Sequence, residues 1–210
     1  MGIAASHLRQ SLNSLVEIEP RFETRLVEIG YPPPRIRDRG YQTLLRTILG
    51  QQVSVASANA VWRKLSDALG GEMEPHALLK ASDAVLRGAG LSRQKSSYAR
   101  SLAELIVSRQ LDLAALPADD EAAIAELVAV KGIGRWSAEV YLLFAEGRPD
   151  IWPAGDLAVR AGVQLFEQLG HMPSIADMPG HGERWRPWRS VAACYLWGLY
   201  ASHRQREVGI

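Results

Sequence analysis

The sequence predicts an all-α protein, and three observations carry that prediction. Apolar residues recur every three or four positions along most of the 210-residue chain, the period of a helix with one buried face. No alternating run is long enough to make a strand. The apolar segments are separated by short breaks rich in Gly and Pro, of the kind that join neighbouring helices.

Taken in order, Leu8, Leu12 and Leu15 mark a first helix from about Ser6 that stops near Pro20, and Phe22, Leu26 and Ile29 continue the stripe to Gly30. Tyr31-Pro32-Pro33-Pro34 cannot be helical and reads as a linker. Leu44, Leu45, Ile48 and Leu49 form the next stripe, broken at Gly50-Gln51-Gln52. Val55, Ala58, Val61, Trp62 and Leu65 form another, which ends at Gly70-Gly71. Further helices are predicted from about His76 to Arg87, from Gln94 to Ser108, and from Asp119 to Val130. Past Lys131-Gly132-Ile133-Gly134 a helix runs to about Glu146. Beyond a loop holding Pro149 and Pro153, helices over Asp156 to Leu169 and Pro187 to His203 close the chain.

Composition narrows the function. An apolar fraction of 47% and a charged fraction of 22% support a sizeable core and argue against disorder. Cys194 is the single cysteine, which excludes a disulfide framework and a cysteine-ligated zinc or iron–sulfur cluster. The five histidines show no ligand spacing, so no catalytic metal is expected. No apolar run approaches the roughly 18 residues of a membrane span, and Met1 to Ser14 lacks the pattern of a signal peptide. The expectation is a soluble protein of a reducing compartment. A net charge of +1 argues against a uniformly basic coat. Of the 24 cationic residues only Lys64, Lys80, Lys95 and Lys131 are lysines, so a polyanion would be held by local patches.

The most informative local feature is Val130-Lys131-Gly132-Ile133-Gly134 between two amphipathic helices. Ile124, Leu127 and Val128 share a face upstream; Ala138, Tyr141, Leu142 and Ala145 share one downstream. Two glycines around one aliphatic residue allow a tight reversal with positive φ, and Ile133 can plug between the helices. Backbone N–H groups at the start of the second helix then face outward, an arrangement that suits a phosphodiester, with Lys131 and Arg135 adding charge. A plain helical corner with a glycine C-cap has the same local pattern. Asp156, in Ile151-Trp152-Pro153-Ala154-Gly155-Asp156, reads as a helix N-cap after a Pro-Gly loop. That position also suits a carboxylate that stabilises a developing cation, and the two roles are compatible.

Gly132-Ile133-Gly134-Arg135-Trp136-Ser137-Ala138-Glu139, followed by the Pro-containing segment that ends at Asp156, resembles the helix–hairpin–helix, loop and aspartate signature of base-excision DNA glycosylases. Two further segments are similar to the 3-methyladenine DNA glycosylase II branch: Ile48-Leu49-Gly50-Gln51-Gln52-Val53-Ser54-Val55, and Arg184-Trp185-Arg186-Pro187-Trp188-Arg189-Ser190 running into Tyr195-Leu196-Trp197. The resemblance spans about Leu26 to Tyr200, without the extra N-terminal α/β domain of some members.

The resemblance implies two helical lobes, one over residues 40–148 with the hairpin and one pairing 1–39 with 149–210. Between them it implies an active-site cleft with Trp136 opposite Asp156 and Trp197. Asp156 matches the catalytic aspartate, and Trp136 and Trp197 match aromatic walls of the base pocket. Gln51 and Gln52 lie in the segment that enters the minor groove, with Gln52 at or near the wedge; Lys131, Gly132, Ile133, Gly134 and Arg135 match the phosphate-binding hairpin. Lyase-competent relatives carry a lysine where this chain has Trp136, which implies a monofunctional enzyme. Gly155 stands where the family often has a second acid.

The implied activity is hydrolytic release of alkylated purines from damaged double-stranded DNA by a monomeric, cytoplasmic, bacterial enzyme. No cofactor is expected beyond a monovalent cation that the hairpin carbonyls would hold, as in some relatives. Two alternatives stay open: the same fold acting on uracil or deaminated bases, and a non-enzymatic DNA-gripping module. Trp62, Trp185 and Trp188 are expected to be structural, and Trp152 is left undecided. Arg93 and Lys95 read as a solvated helix start or as phosphate contacts.

Overall fold

Helix after helix in the computed structural model begins at a short polar side chain that accepts a hydrogen bond from the first turn. Ser54 accepts from Ser57 N (3.2 Å), Ser82 from Val85 N (3.3 Å), Ser92 from Lys95 N (3.2 Å) and Asp119 from Ala122 N (2.8 Å). The structure describes residues 5–32 and 36–208. Pro33 and Pro34 of the predicted linker lie outside the described residues, as do the side chains of Leu8 and Ile29.

The elements are α1 (Ala5–Ile18), α2 (Arg21–Ile29), α3 (Tyr41–Gly50), α4 (Val55–Ala68), α5 (Pro75–Lys80), α6 (Asp83–Gly88), α7 (Arg93–Val107), α8 (Asp120–Val128) and α9 (Arg135–Tyr141). A π-helical turn (Leu142–Glu146) follows, then α10 (Leu157–Glu167), α11 (Met178–Glu183) and α12 (Arg189–Val208). The fold is all-α, with no strand among the described residues. No helix among them is long and apolar enough to cross a membrane.

Three elements differ from the sequence expectation. The helix expected over His76 to Arg87 is two helices, because Ala81 is extended and Ser82 caps a new start. The helix after Gly134 keeps α-helical form only to Tyr141 and widens into the π turn, the rarer form in which one extra residue fits into a turn. The short α11 was not anticipated: its sequence, Met-Pro-Gly-His-Gly-Glu, holds two glycines and a proline and shows no helical stripe.

The chain divides into two compact units, residues 37–141 and residues 1–36 with 142–210. The first is built on the buried faces of α3 (Leu44, Leu45, Ile48, Leu49), α7 (Ala99, Leu102, Ala103) and α8 (Ile124, Leu127), with Ile133 inserted from the hairpin. Lys95 donates to Leu49 O at 2.7 Å and so caps the last turn of α3; burial pushes its ammonium below the usual lysine range. That is neither of the roles expected of Lys95, and the signal for it lies in tertiary packing alone.

The second unit is centred on rings. Phe22 meets Phe166 at a centroid distance of 4.4 Å and packs edge-on against Tyr195 (5.0 Å) and Trp185 (5.6 Å). Trp152 closes on Trp185 at 5.4 Å and donates its indole N–H to Met178 O at 2.8 Å, so Trp152 is structural. Here α10 and α12 pack closely because α10 carries Gly162: a Cβ there would sit 2.6 Å from Leu196 O. Gly162→Val is therefore expected to force the two helices apart and lower unfolding stability by about 1–3 kcal/mol in a urea titration. A change within about 0.5 kcal/mol would mean that this approach is not tight.

Candidate active site and hairpin

In the unit that joins the chain ends, Asp156 stands immediately before α10 and is 9% exposed. Its Oδ1 accepts two hydrogen bonds, one from Val159 N at 2.9 Å and one from Trp197 Nε1 at 2.9 Å. The first is the N-cap read from the sequence. The second was not foreseen and fixes the carboxylate to α12. Trp197 is itself braced, its ring stacked on Phe144 of the π turn at 5.4 Å and 29°. Phe144 was missed as a site residue because it sits in an unbroken apolar run with nothing to mark it.

The loop that leads to Asp156 is held along the same helix. Buried Ser190 donates to Arg148 O at 2.6 Å and accepts from Ile151 N at 2.8 Å, and its own N–H reaches Pro149 O at 3.0 Å. Asp150 is gripped by Arg189 (Nε to Oδ1, 2.8 Å) and Arg186 (Nη1 to Oδ2, 2.6 Å). Seven residues separate Ser190 from Trp197, two helical turns, so both project from one face of α12. One face of one helix thus holds both the start of the loop and the aspartate at its end.

In the 37–141 unit the hairpin follows α8. Gly132 has φ +84°, a conformation that L side chains rarely adopt, and a Cβ on it would lie 2.1 Å from the Tyr98 ring. Gly134 does not have positive φ, so only one of the two glycines meets that expectation. Tyr98, fixed by Gln94 Nε2 at 2.6 Å, supports the turn from below and was not anticipated. Ile133 is buried as expected and donates its N–H to Val130 O at 3.0 Å. Lys131 N donates to Ser101 Oγ at 3.2 Å while its side chain is exposed.

Two expected DNA contacts have partners within the protein. Gln51 Nε2 donates to Gly132 O at 2.7 Å, which ties the loop after α3 to the hairpin. Arg135 engages Glu121 (2.5 and 2.8 Å) and buried Glu139 (2.8 Å); the Glu121 bonds above all raise its pKa further. Its charge is therefore set against two carboxylates, while its side chain stays 58% exposed. Gln52 is exposed and held at φ +55°, outside the ordinary range for a side chain of its kind. Trp136 is 48% exposed on the first turn of α9.

The carbonyls of Val130 and Gly132 each accept one N–H donor, from Ile133 and from the Gln51 amide, which leaves each a second lone pair. No group of three His, Cys, Asp or Glu side chains suited to a metal occurs among the described residues.

Residues 45–187 match the HhH-GPD superfamily of base excision DNA repair proteins, and the chain belongs to that family. It is 32% identical over 181 residues to DNA-3-methyladenine glycosylase 1 of Schizosaccharomyces pombe, covering 82% of this chain and 79% of the relative. Among solved structures it is similar to a DNA-3-methyladenine glycosidase from Bacillus halodurans (TM-score 0.85, 30% identity, 93% of this chain and 91% of that one). It is also similar to the S. pombe 3-methyladenine DNA glycosylase in complex with abasic DNA (TM-score 0.74, 29% identity, 90% of this chain and 95% of that one).

The Asp156–Trp197 bond can be measured by a double-mutant cycle on unfolding stability. Trp197→Phe and Asp156→Ala are each expected to destabilise, and the double variant to lose less than the sum, with a coupling of about 1–2 kcal/mol. A coupling below about 0.3 kcal/mol would show that the bond does not form in solution.

Proposed function

We propose that this chain is a monofunctional DNA glycosylase that hydrolyses the N-glycosidic bond of alkylated purines of the 3-methyladenine and 7-methylguanine type in duplex DNA, leaving an abasic site. The observation that carries this reading is the carboxylate of Asp156, nine-tenths buried at the mouth of α10 and held there by the N–H groups of Val159 and Trp197. Its support is the family, to which relatives named for 3-methyladenine belong.

The chemistry asks little of an acid. An alkylated purine of this type carries a positive charge, so when its bond to C1′ breaks, the electron pair neutralises the departing base. The sugar is left as an oxocarbenium ion. Asp156 stabilises that cation and takes a proton from the water whose oxygen bonds to C1′. The base must first leave the stack, at a cost of a few kcal/mol that is smallest for damaged or poorly paired bases. Indole faces suit a cationic base, at about 0.5–2 kcal/mol each, a role that the family resemblance gives to Trp197 in one unit and to the exposed Trp136 in the other. Trp197 then has two tasks, since its N–H also holds Asp156.

On the DNA side, the exposed, left-handed Gln52 is assigned to the wedge, and Gln51 to fixing that loop on the hairpin. Lys131 and the backbone N–H groups of Gly132 and Gly134 are assigned to a phosphate, with buried Ile133, whose own N–H is taken by Val130 O, fixing the turn and Arg135 holding α8 and α9 in place beside it. The working place of such an enzyme is the compartment that contains the chromosome.

Asp156→Asn is expected to lower release of 3-methyladenine and 7-methylguanine by at least about 100-fold while affinity for abasic duplex changes little. Unchanged release would remove Asp156 from the mechanism. Among single-lesion duplexes, faster excision of uracil or of a deaminated purine than of either alkylated base would overturn the assigned substrate.

With Trp136 at the position of the lyase lysine, borohydride added during turnover is expected to trap no covalent protein–DNA adduct. A robust adduct would contradict the monofunctional assignment.

A further inference from the structure

Beside the hairpin, within the 37–141 unit, lies a half-open groove of about 440 Å³ between α6 and α7. From α7 it is lined by Arg93, Ser96, Ser97, Arg100, Ser101 and Glu104, residues that recur every three or four positions along one face of that helix. Asp83 and Arg87, one turn apart, line it from α6, and Lys131 comes from the start of the hairpin.

The charges in the groove do not cancel. Arg100 is committed to the end of α5, donating to Leu79 O (3.2 Å) and Ala81 O (2.7 Å), and it pairs with Asp83 at 3.0 Å. Among the described residues, Arg87, Arg93 and Lys131 have no ion-pair partner, and only Glu104 stands against them. Ser96 is 8% exposed, and its hydroxyl has no hydrogen-bond partner among the described residues. A buried hydroxyl left without a partner is costly, and an oxyanion that it met by a turn of its side chain would satisfy it. Serine hydroxyls interleaved with arginines match a phosphate group, which accepts from both.

We propose that this groove binds a phosphate group, separate from the one assigned to the hairpin backbone. The identification of its source as DNA rests on the function proposed above. A phosphodiester of the duplex enters the groove with Lys131 at the junction, so that the protein holds the backbone at two places. A free phosphate ion has the same chemistry and is the other source.

The test compares the parent with an Arg87→Gln, Arg93→Gln double variant and with a charge-matched control, Arg63→Gln, Lys64→Gln on α4. Affinity for a 21-base-pair duplex containing an abasic-site analogue is measured across a salt series. Inorganic phosphate is titrated separately while the amide resonances of Ser96, Ser97 and Ser101 are followed.

A loss of five- to tenfold in DNA affinity confined to the groove variant, with a salt slope shallower by about one, identifies the DNA backbone as the source. Saturable phosphate shifts in the parent that vanish in the groove variant, with DNA affinity unchanged, identify the free ion. Equal effects of the groove and control variants on DNA without such shifts, or no effect of either kind, would overturn the proposal. Base release by the parent from alkylated DNA is scored in parallel. Its absence would sink the proposed function, whereas its presence alongside a null groove result would sink only the groove.

Discussion

The arrangement at Asp156 depends on how closely two helices approach. Gly162 lets α10 come against the backbone of α12 at Leu196, the residue before Trp197. At that separation the indole N–H reaches the oxygen that already caps α10, and one atom of Asp156 belongs to both helices. A carboxylate bonded to its own helix alone would follow any movement of the loop before it. Held by a second helix as well, it is fixed from two sides. The catalytic role proposed for it calls for such preorganisation, because dipoles already in place need no reorientation when charge develops.

The hairpin shows the same economy of parts. Gly132 turns the chain, Tyr98 fills the space that a side chain there would need, and the Gln51 amide grips the Gly132 carbonyl. The loop that carries Gln52 and the hairpin are thus joined by a hydrogen bond, and a shift in one is felt in the other. Arg135 has a supporting part: buried Glu139 needs a counterion, and Arg135 supplies it while reaching Glu121 at the start of α8. Removing such a partner from a buried carboxylate is far more damaging than removing a surface charge.

Much of this was legible in the sequence because it is local. Caps, stripes and the Gly-x-Gly turn depend on neighbours within a few positions, which is why the helices, the buried Ile133 and the N-cap at Asp156 could be read directly. The break between α5 and α6 was missed because Ser82 sits inside a stretch that otherwise keeps helical spacing. The indole bond to Asp156, the stacking of Phe144 and the grip of Ser190 on the loop join residues about 40 to 50 positions apart. No periodicity encodes such contacts. Arg135 shows a different limit: its pairing with Glu121, 14 positions away, leaves no mark in the local pattern around the hairpin.

The most direct measurement of the central claim is a crystal structure of the protein on duplex DNA in which a cyclic secondary amine replaces the target sugar, a charged mimic of the oxocarbenium ion. The account predicts an Asp156 carboxylate oxygen within about 3 Å of the ammonium nitrogen, with Trp197 Nε1 still bonded to the same side chain. An ammonium paired with some other acid, or an Asp156 that has let go of Trp197 and faces away from the sugar, would contradict it.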